Sequence, residues 1–122
     1  DCVYAESTVQ TLKELDQYAP RGEEGHIFIA AIDGCAGNLN LIREGSTDQA
    51  SGQPIPDFGS MVVEYIEKKL NGEAIEPGQV VQEGALWSPA QLKMTDVGYQ
   101  LFLSTTDISI DNVENPGLWG NQ

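Results

Sequence analysis

Positive charge is scarce in this chain. Six Lys and Arg stand against 19 Asp and Glu in 122 residues, giving a formal net charge of -13 and a sequence pI near 4.1. A nucleic-acid partner requires Lys and Arg to neutralise phosphates, and an anionic membrane surface attracts clustered basic residues. The composition argues against both. The acid is spread along the chain rather than gathered in a tail, so it reads as a solvated surface that keeps the protein in solution. No apolar run approaches the roughly 20 residues of a membrane span. No signal-peptide pattern is visible. Cysteine is limited to Cys2 and Cys35, without the CxxC spacing of a metal or redox site. The one histidine, His26, stands alone before an apolar run, where a structural role is the expectation. The sequence has no HExxH, no paired DxD, no GxGxxG and no glycine loop ending in Lys-Ser or Lys-Thr. It has no internal repeat and no low-complexity stretch.

What is there reads as alternating strands and helices. "CVYAE" (residues 2–6) is short, apolar and β-prone. Ser7 or Thr8 can cap a following helix that presents Val9, Leu12 and Leu15 and ends near Tyr18, before Pro20 and Gly22. "HIFIAAI" (residues 26–32) is nearly continuous in apolar residues, the pattern of a parallel strand covered on both faces. Residues 37–44 form a short helix with Leu39 and Ile42 inward and Gly45 as a left-handed terminator. "STDQAS" (residues 46–51) is a weak, polar strand. "GQPIPDFG" is an extended connector. In it Asp57 can cap the longest helix, residues 58–71, whose core stripe is Phe58, Val62, Tyr65, Ile66 and Leu70, with Gly72 ending it. Residues 77–86 read as a turn and strand, and "YQLFLS" (residues 99–104) as a further strand. The tail "ISIDNVENPGLWGNQ" is a short extended piece followed by loop.

Such alternation predicts an α/β fold, a three-layer sandwich around a mainly parallel sheet. If the first two strands run parallel, Cys2 and Cys35 lie at opposite ends of the sheet. A bridge needs Cα atoms within roughly 7 Å, so two free thiols are expected. The chain opens on Asp1 already inside an apparent strand, so the expectation is a piece of a longer protein.

Ligands of open α/β sheets bind outside the carboxyl ends of the strands. Asp33, followed by Gly34, ends the apolar strand at that position. It can cap the next helix, act as a catalytic carboxylate, or accept hydrogen bonds from vicinal hydroxyls. Glu6 and Ser7 end the preceding strand, and Gln53 follows the third. The Gln53 amide both donates and accepts; a solvated loop position is its plainer reading. Trp87 and Trp119 can stack on a sugar ring or pack a core edge.

The order of "AAIDG", a helix ending "IREG", "GQPIPDFG", a long helix ending "KKLNGE" and "DNVENPGLWGN" resembles the C-terminal part of the type 1 periplasmic sugar-binding proteins of ABC transporters, the ribose- and galactose-binding group. The resemblance runs through nearly the whole chain, on motifs that are individually short. It implies residues 1–86 as a partial C-terminal ligand-binding lobe and residues 87–122 as a hinge-crossing segment and tail. It implies a monosaccharide or related polyol held between two lobes, with Asp33 and Gln53 as hydrogen-bonding residues. Glu6 or Ser7 would stand where the family has Asn or Asp. It also implies no catalytic activity, no cofactor, no metal and no nucleic-acid partner. The implied partner is a membrane permease, and the implied location the periplasm or cell exterior, lipoprotein anchoring included. A fragment of such a lobe is further expected to self-associate through its uncovered strand. The alternatives are the effector-binding domain of a sugar-responsive transcription regulator and a small α/β enzyme.

Overall fold

A computed structural model describes the backbone of residues 2–122 and the side chains of residues 3–122. The fold is mixed α/β with small sheets. Along the chain come α1 (Cys2–Glu14), β1 (Ala30–Asp33), α2 (Ala36–Arg43), β2 (Gln49–Gly52), α3 (Ile55–Leu70), β3 (Gly78–Val80), β4 (Ala90–Thr95), β5 (Gly98–Phe102), β6 (Thr106–Ile108) and a 3₁₀ turn at Trp119–Asn121. They divide into two compact units. One holds Asp1–Gln53 and Thr106–Gln122, the other Pro54–Thr105. The divisions thus fall at 53/54 and 105/106, where the sequence had suggested 86/87.

The first element is a helix, not the expected strand and separate helix. Ala5 and Val9 are buried at helical spacing, with Leu12 half-buried on the same side. A strand would have sent Ala5 and Val9 to the same face only by alternation, and the intervening Ser7 with them. The residues expected to cap, Ser7 and Thr8, lie inside α1 instead. Their hydroxyls donate to the carbonyls of Val3 and Tyr4 at 2.8 and 2.7 Å, and Thr11 does the same to Ser7 at 2.9 Å. This back-bonding lets hydroxyl residues sit in a helix interior.

All three helices end alike. In α1 the N–H of Gln17 donates to Leu12 O and that of Asp16 to Lys13 O, with Asp16 at φ +53. In α2 Ser46 reaches Leu41 O and Gly45 reaches Ile42 O. In α3 Glu73 reaches Lys68 O and Gly72 reaches Lys69 O. This paired closure requires a left-handed residue just past the helix. Gly45 and Gly72 supply it, as the sequence foretold.

In the first unit β1 and β2 run parallel, joined through α2. β6 adds antiparallel to β2, giving the order β1-β2-β6. The core is one-sided: Leu39 and Ile42 of α2, fully buried, meet Ala50, Ile108, Val113 and Leu118, with Ala31 against them. The opposite face of the sheet is bare. Ile32 is 54% exposed, and Ile27 and Phe28 are exposed before it. The expectation of a strand covered on both faces therefore fails. One of the two pairings here is antiparallel and the other sheet is antiparallel throughout, so the described residues form small sheets that do not by themselves make a three-layer sandwich around a mainly parallel sheet. Only residues 30–33 of the apolar run pair as a strand. Residues 26–29 are drawn into contacts with Asp48.

The second unit contains α3 and the antiparallel sheet β3-β4-β5. Trp87, Ala90 and Leu92 are its buried apolar residues. α3 begins at Ile55 with Pro54 as its N-cap residue, so Asp57 falls in the first turn rather than at the cap. An acid there still favours the helix dipole. The stripe foreseen as core is not buried: Val62 is 59% and Leu70 80% exposed, and no residue of α3 is buried.

The C-terminal tail closes the first unit. Gly120 lies on the backbone of residues 34–36; a Cβ there would come within 2.7 Å of the Cys35 carbonyl carbon and 2.8 Å of the Ala36 nitrogen. Arg43 of α2 ties the tail in place. It donates to Glu114 at 2.7 Å, Asn121 Oδ1 at 2.7 Å and Val113 O at 3.3 Å. The Gly120→Ala variant is expected to lose about 1–3 kcal/mol of stability through backbone overpacking. Urea denaturation measures it; unchanged stability would show that the tail does not hold this position.

Candidate functional site

Three chain segments meet where β1 ends. Asp33 leaves the strand at φ +96 and Gly34 follows at φ +77, turning the chain toward α2. A non-glycine residue at such a φ is strained, at a cost of roughly 1–3 kcal/mol unless its surroundings fix it. Here they do. The Asp33 carbonyl accepts from the Gln53 N–H at 3.1 Å and from Trp119 Nε1–H at 2.8 Å. Gly34 and Gly52 leave room for Ile108: a Cβ on either would lie within 2.8 Å of the Ile108 Cδ1.

Asp33 pairs with Gly52 across β1 and β2, so Gln53 follows directly beside it at the carboxyl ends of two parallel strands. Both side chains are half-buried. Cys35 is the N-cap residue of α2, and its side chain makes no capping hydrogen bond. The neighbouring polar group is Asn38, 1% exposed, whose Oδ1 accepts from the Gly34 N–H at 3.3 Å. Its Nδ2 is buried without a hydrogen-bond partner. Sequence reading passed over Asn38, although its helical spacing to Ile42 placed it on the buried face, where a polar side chain needs partners.

Glu6 and Ser7 do not end a strand, because their segment is helical. The Ser7 hydroxyl is bonded back along α1. Glu6 is nevertheless near the site: its carboxylate lies over Gly37 in the first turn of α2, where a negative charge complements the helix dipole. The structure thus brings Asp33 and Gln53 together, leaves Glu6 beside the first turn of α2, and occupies Ser7 elsewhere. Trp119 is half-buried and fixed by its bond to Asp33; Trp87 is buried in the second unit.

Cys35, which opens α2, is disulfide-bonded, against the expectation of a free thiol. That expectation placed Cys2 at the start of a strand parallel to β1. With residues 2–14 helical and α1 packed on α2 and β1, the separation it assumed does not exist. The expected thiol of Cys2 lies outside the described side chains. Among the described residues no group of three or more His, Cys, Asp and Glu is placed to hold a metal ion.

A 3.1 Å backbone hydrogen bond thus sets one carboxylate-bearing and one amide-bearing residue next to each other at the strand ends. Comparing Asp33→Gly with Asp33→Ala isolates the backbone from the side chain. Both remove the carboxylate, but glycine adopts φ +96 without strain. Asp33→Gly is expected to be about 1 kcal/mol more stable than Asp33→Ala in urea denaturation; equal stabilities would show that the turn relaxes freely. Compared with known proteins, the chain matches no family model and no curated protein.

Proposed function

We propose that this chain is part of the substrate-binding component of an ABC-type sugar importer, capturing a monosaccharide or related polyol between two lobes. The observation that supports this reading best is the placement of Asp33 and Gln53 side by side at the carboxyl ends of parallel β1 and β2. The chain passes into its second unit directly after Gln53. A ligand there would receive a carboxylate acceptor and an amide able both to donate and to accept, which suits vicinal hydroxyls. Glu6 would border the same ligand; Ser7 would contribute little while bonded within α1.

In this reading the sheet β1-β2-β6 belongs to a larger, mainly parallel sheet between helical layers, part of a type 1 periplasmic-binding-protein lobe. Its partners would be the sugar and a membrane permease, its location the periplasm or cell exterior. The Cys35 disulfide supports an oxidising compartment. That favours an importer component over the effector domain of a cytosolic transcription regulator. No observation favours the enzyme reading.

The test is titration of the chain with a panel of aldoses and polyols, read by amide chemical shifts. The expected result is movement at Gly34 and Gln53 with millimolar affinity, about -4 kcal/mol, because half a site buries little of its ligand. Gln53→Ala should abolish the movement. A folded chain whose Gly34 and Gln53 amides stay still across the whole panel would sink the proposal.

The fragment reading makes its own prediction. Ile27, Phe28 and Ile32 on the first unit and the stripe of α3 on the second are apolar and uncovered, and large apolar patches seldom stay in water. Light scattering is expected to give a mass above the 13.2 kDa of one chain. A sharply melting monomer at high concentration would count against it.

A further inference from the structure

The segment between α1 and β1, residues 15–29, is fastened to the far end of α2 by polar contacts. The Arg21 N–H donates to Gly45 O at 2.8 Å, and the Arg21 guanidinium donates to Ile42 O. The Tyr18 and Ser46 hydroxyls share a 2.8 Å hydrogen bond. At the centre is His26. Its Nδ1 lies 2.8 Å from Ala19 O, and its Nε2 lies 3.0 and 3.1 Å from the two oxygens of Asp48. Asp48 is 9% exposed and its carboxylate also accepts from the Ile29 N–H at 2.9 Å.

Both ring nitrogens of His26 therefore face acceptors. A carbonyl has no proton to give, and neither has an ionised carboxylate. Neutral imidazole carries one N–H and can satisfy only one of the two; imidazolium carries two and satisfies both. The arrangement selects the charged ring. We infer that His26 is a proton-operated latch that holds residues 15–29 against the α2 terminus and Asp48 when charged and releases them when neutral.

The direction of titration agrees with the geometry. The bond to the Ala19 carbonyl, then the bond to Asp48, raise the pKa of His26 above its ordinary value, outweighing partial desolvation and the nearby Arg21 charge. The charged groups acting on it are Asp48, from the segment entering β2, and Arg21 of its own loop. Because the folded value is the higher one, the latch contributes fully to stability below about pH 6.5, the unfolded value. That contribution is lost as pH rises through the folded value. A side chain 15% exposed can exchange its proton with solvent without unfolding.

Having one histidine, the whole chain gives a single imidazole signal to follow. Imidazole chemical shifts and amide exchange, corrected for intrinsic base catalysis, are followed from about pH 5.5 to about pH 8.5. His26 is expected to titrate above 6.5. The charged fraction then falls about tenfold per pH unit beyond the midpoint, and protection of the Arg21 and Ile29 amides falls with it. Asp48→Asn should lower the midpoint, and His26→Gln should leave loop exchange independent of pH. A wild-type midpoint at or below 6.5, or Arg21 and Ile29 protection unchanged across it, overturns the latch. If Asp48→Asn does not fold, the wild-type titration decides alone.

Discussion

The carbonyl oxygen of Asp33 is the joint on which the first unit turns. It has two lone pairs, and each is taken by a different part of the chain: the exit of β2 through Gln53 N–H, and the tail through Trp119 Nε1–H, 86 positions away. Those two bonds, worth about 0.5–1.5 kcal/mol each, offset the strain of an aspartate held at φ +96. Around them the fit is backbone against backbone. Gly120 rests on residues 34–36, and Gly34 and Gly52 admit the Ile108 side chain. The Asp33 turn is therefore fixed from several sides.

Some of this architecture was legible in the residues. Gly45 and Gly72 announced helix ends because a left-handed position past a helix suits glycine. Leu39 and Ile42 announced the core face of α2 through their spacing. The proximity of Asp33 and Gln53 followed once two parallel strands were aligned. The start of the chain was misread because Cys2, Val3 and Tyr4 are β-prone individually, while the helical signal lies in Ala5, Val9 and Leu12, one of them only a methyl group. Three back-bonded hydroxyls disguised the helix further. The disulfide at Cys35 was missed by the same error, since the thiol argument was built on that strand. The long-range lock from Trp119 and Gly120 to the Asp33 turn leaves no periodic trace.

The second unit shows why amphipathic pattern and burial are separate facts. Along β4, Ala90 and Leu92 are buried while Gln91 and Lys93 are exposed, the alternation of a sheet with one wet face. Yet Met94 and Tyr99, paired across β4 and β5 on the Leu92 side, are largely exposed. The apolar stripe of α3 is regular in sequence and uncovered in structure. Periodicity tells which side of an element is meant for contact; it does not supply the contact.

The first unit is discontinuous in sequence, and this sets the order in which it can form. Its core takes Leu39, Ile42 and Ala50 from one stretch, and Ile108, Val113 and Leu118 from another that follows the whole second unit. Until the later stretch arrives, β2 lacks β6, α2 lacks half its packing and the Asp33 carbonyl lacks its indole partner. Bringing the stretches together across roughly 50 residues costs on the order of 3.5 kcal/mol in loop entropy if the intervening chain is unstructured. Prior compaction of residues 54–105 shortens that effective loop. During synthesis from the N-terminus, α2 and the β1-β2 pair must wait with their apolar faces open until residues 106–122 emerge.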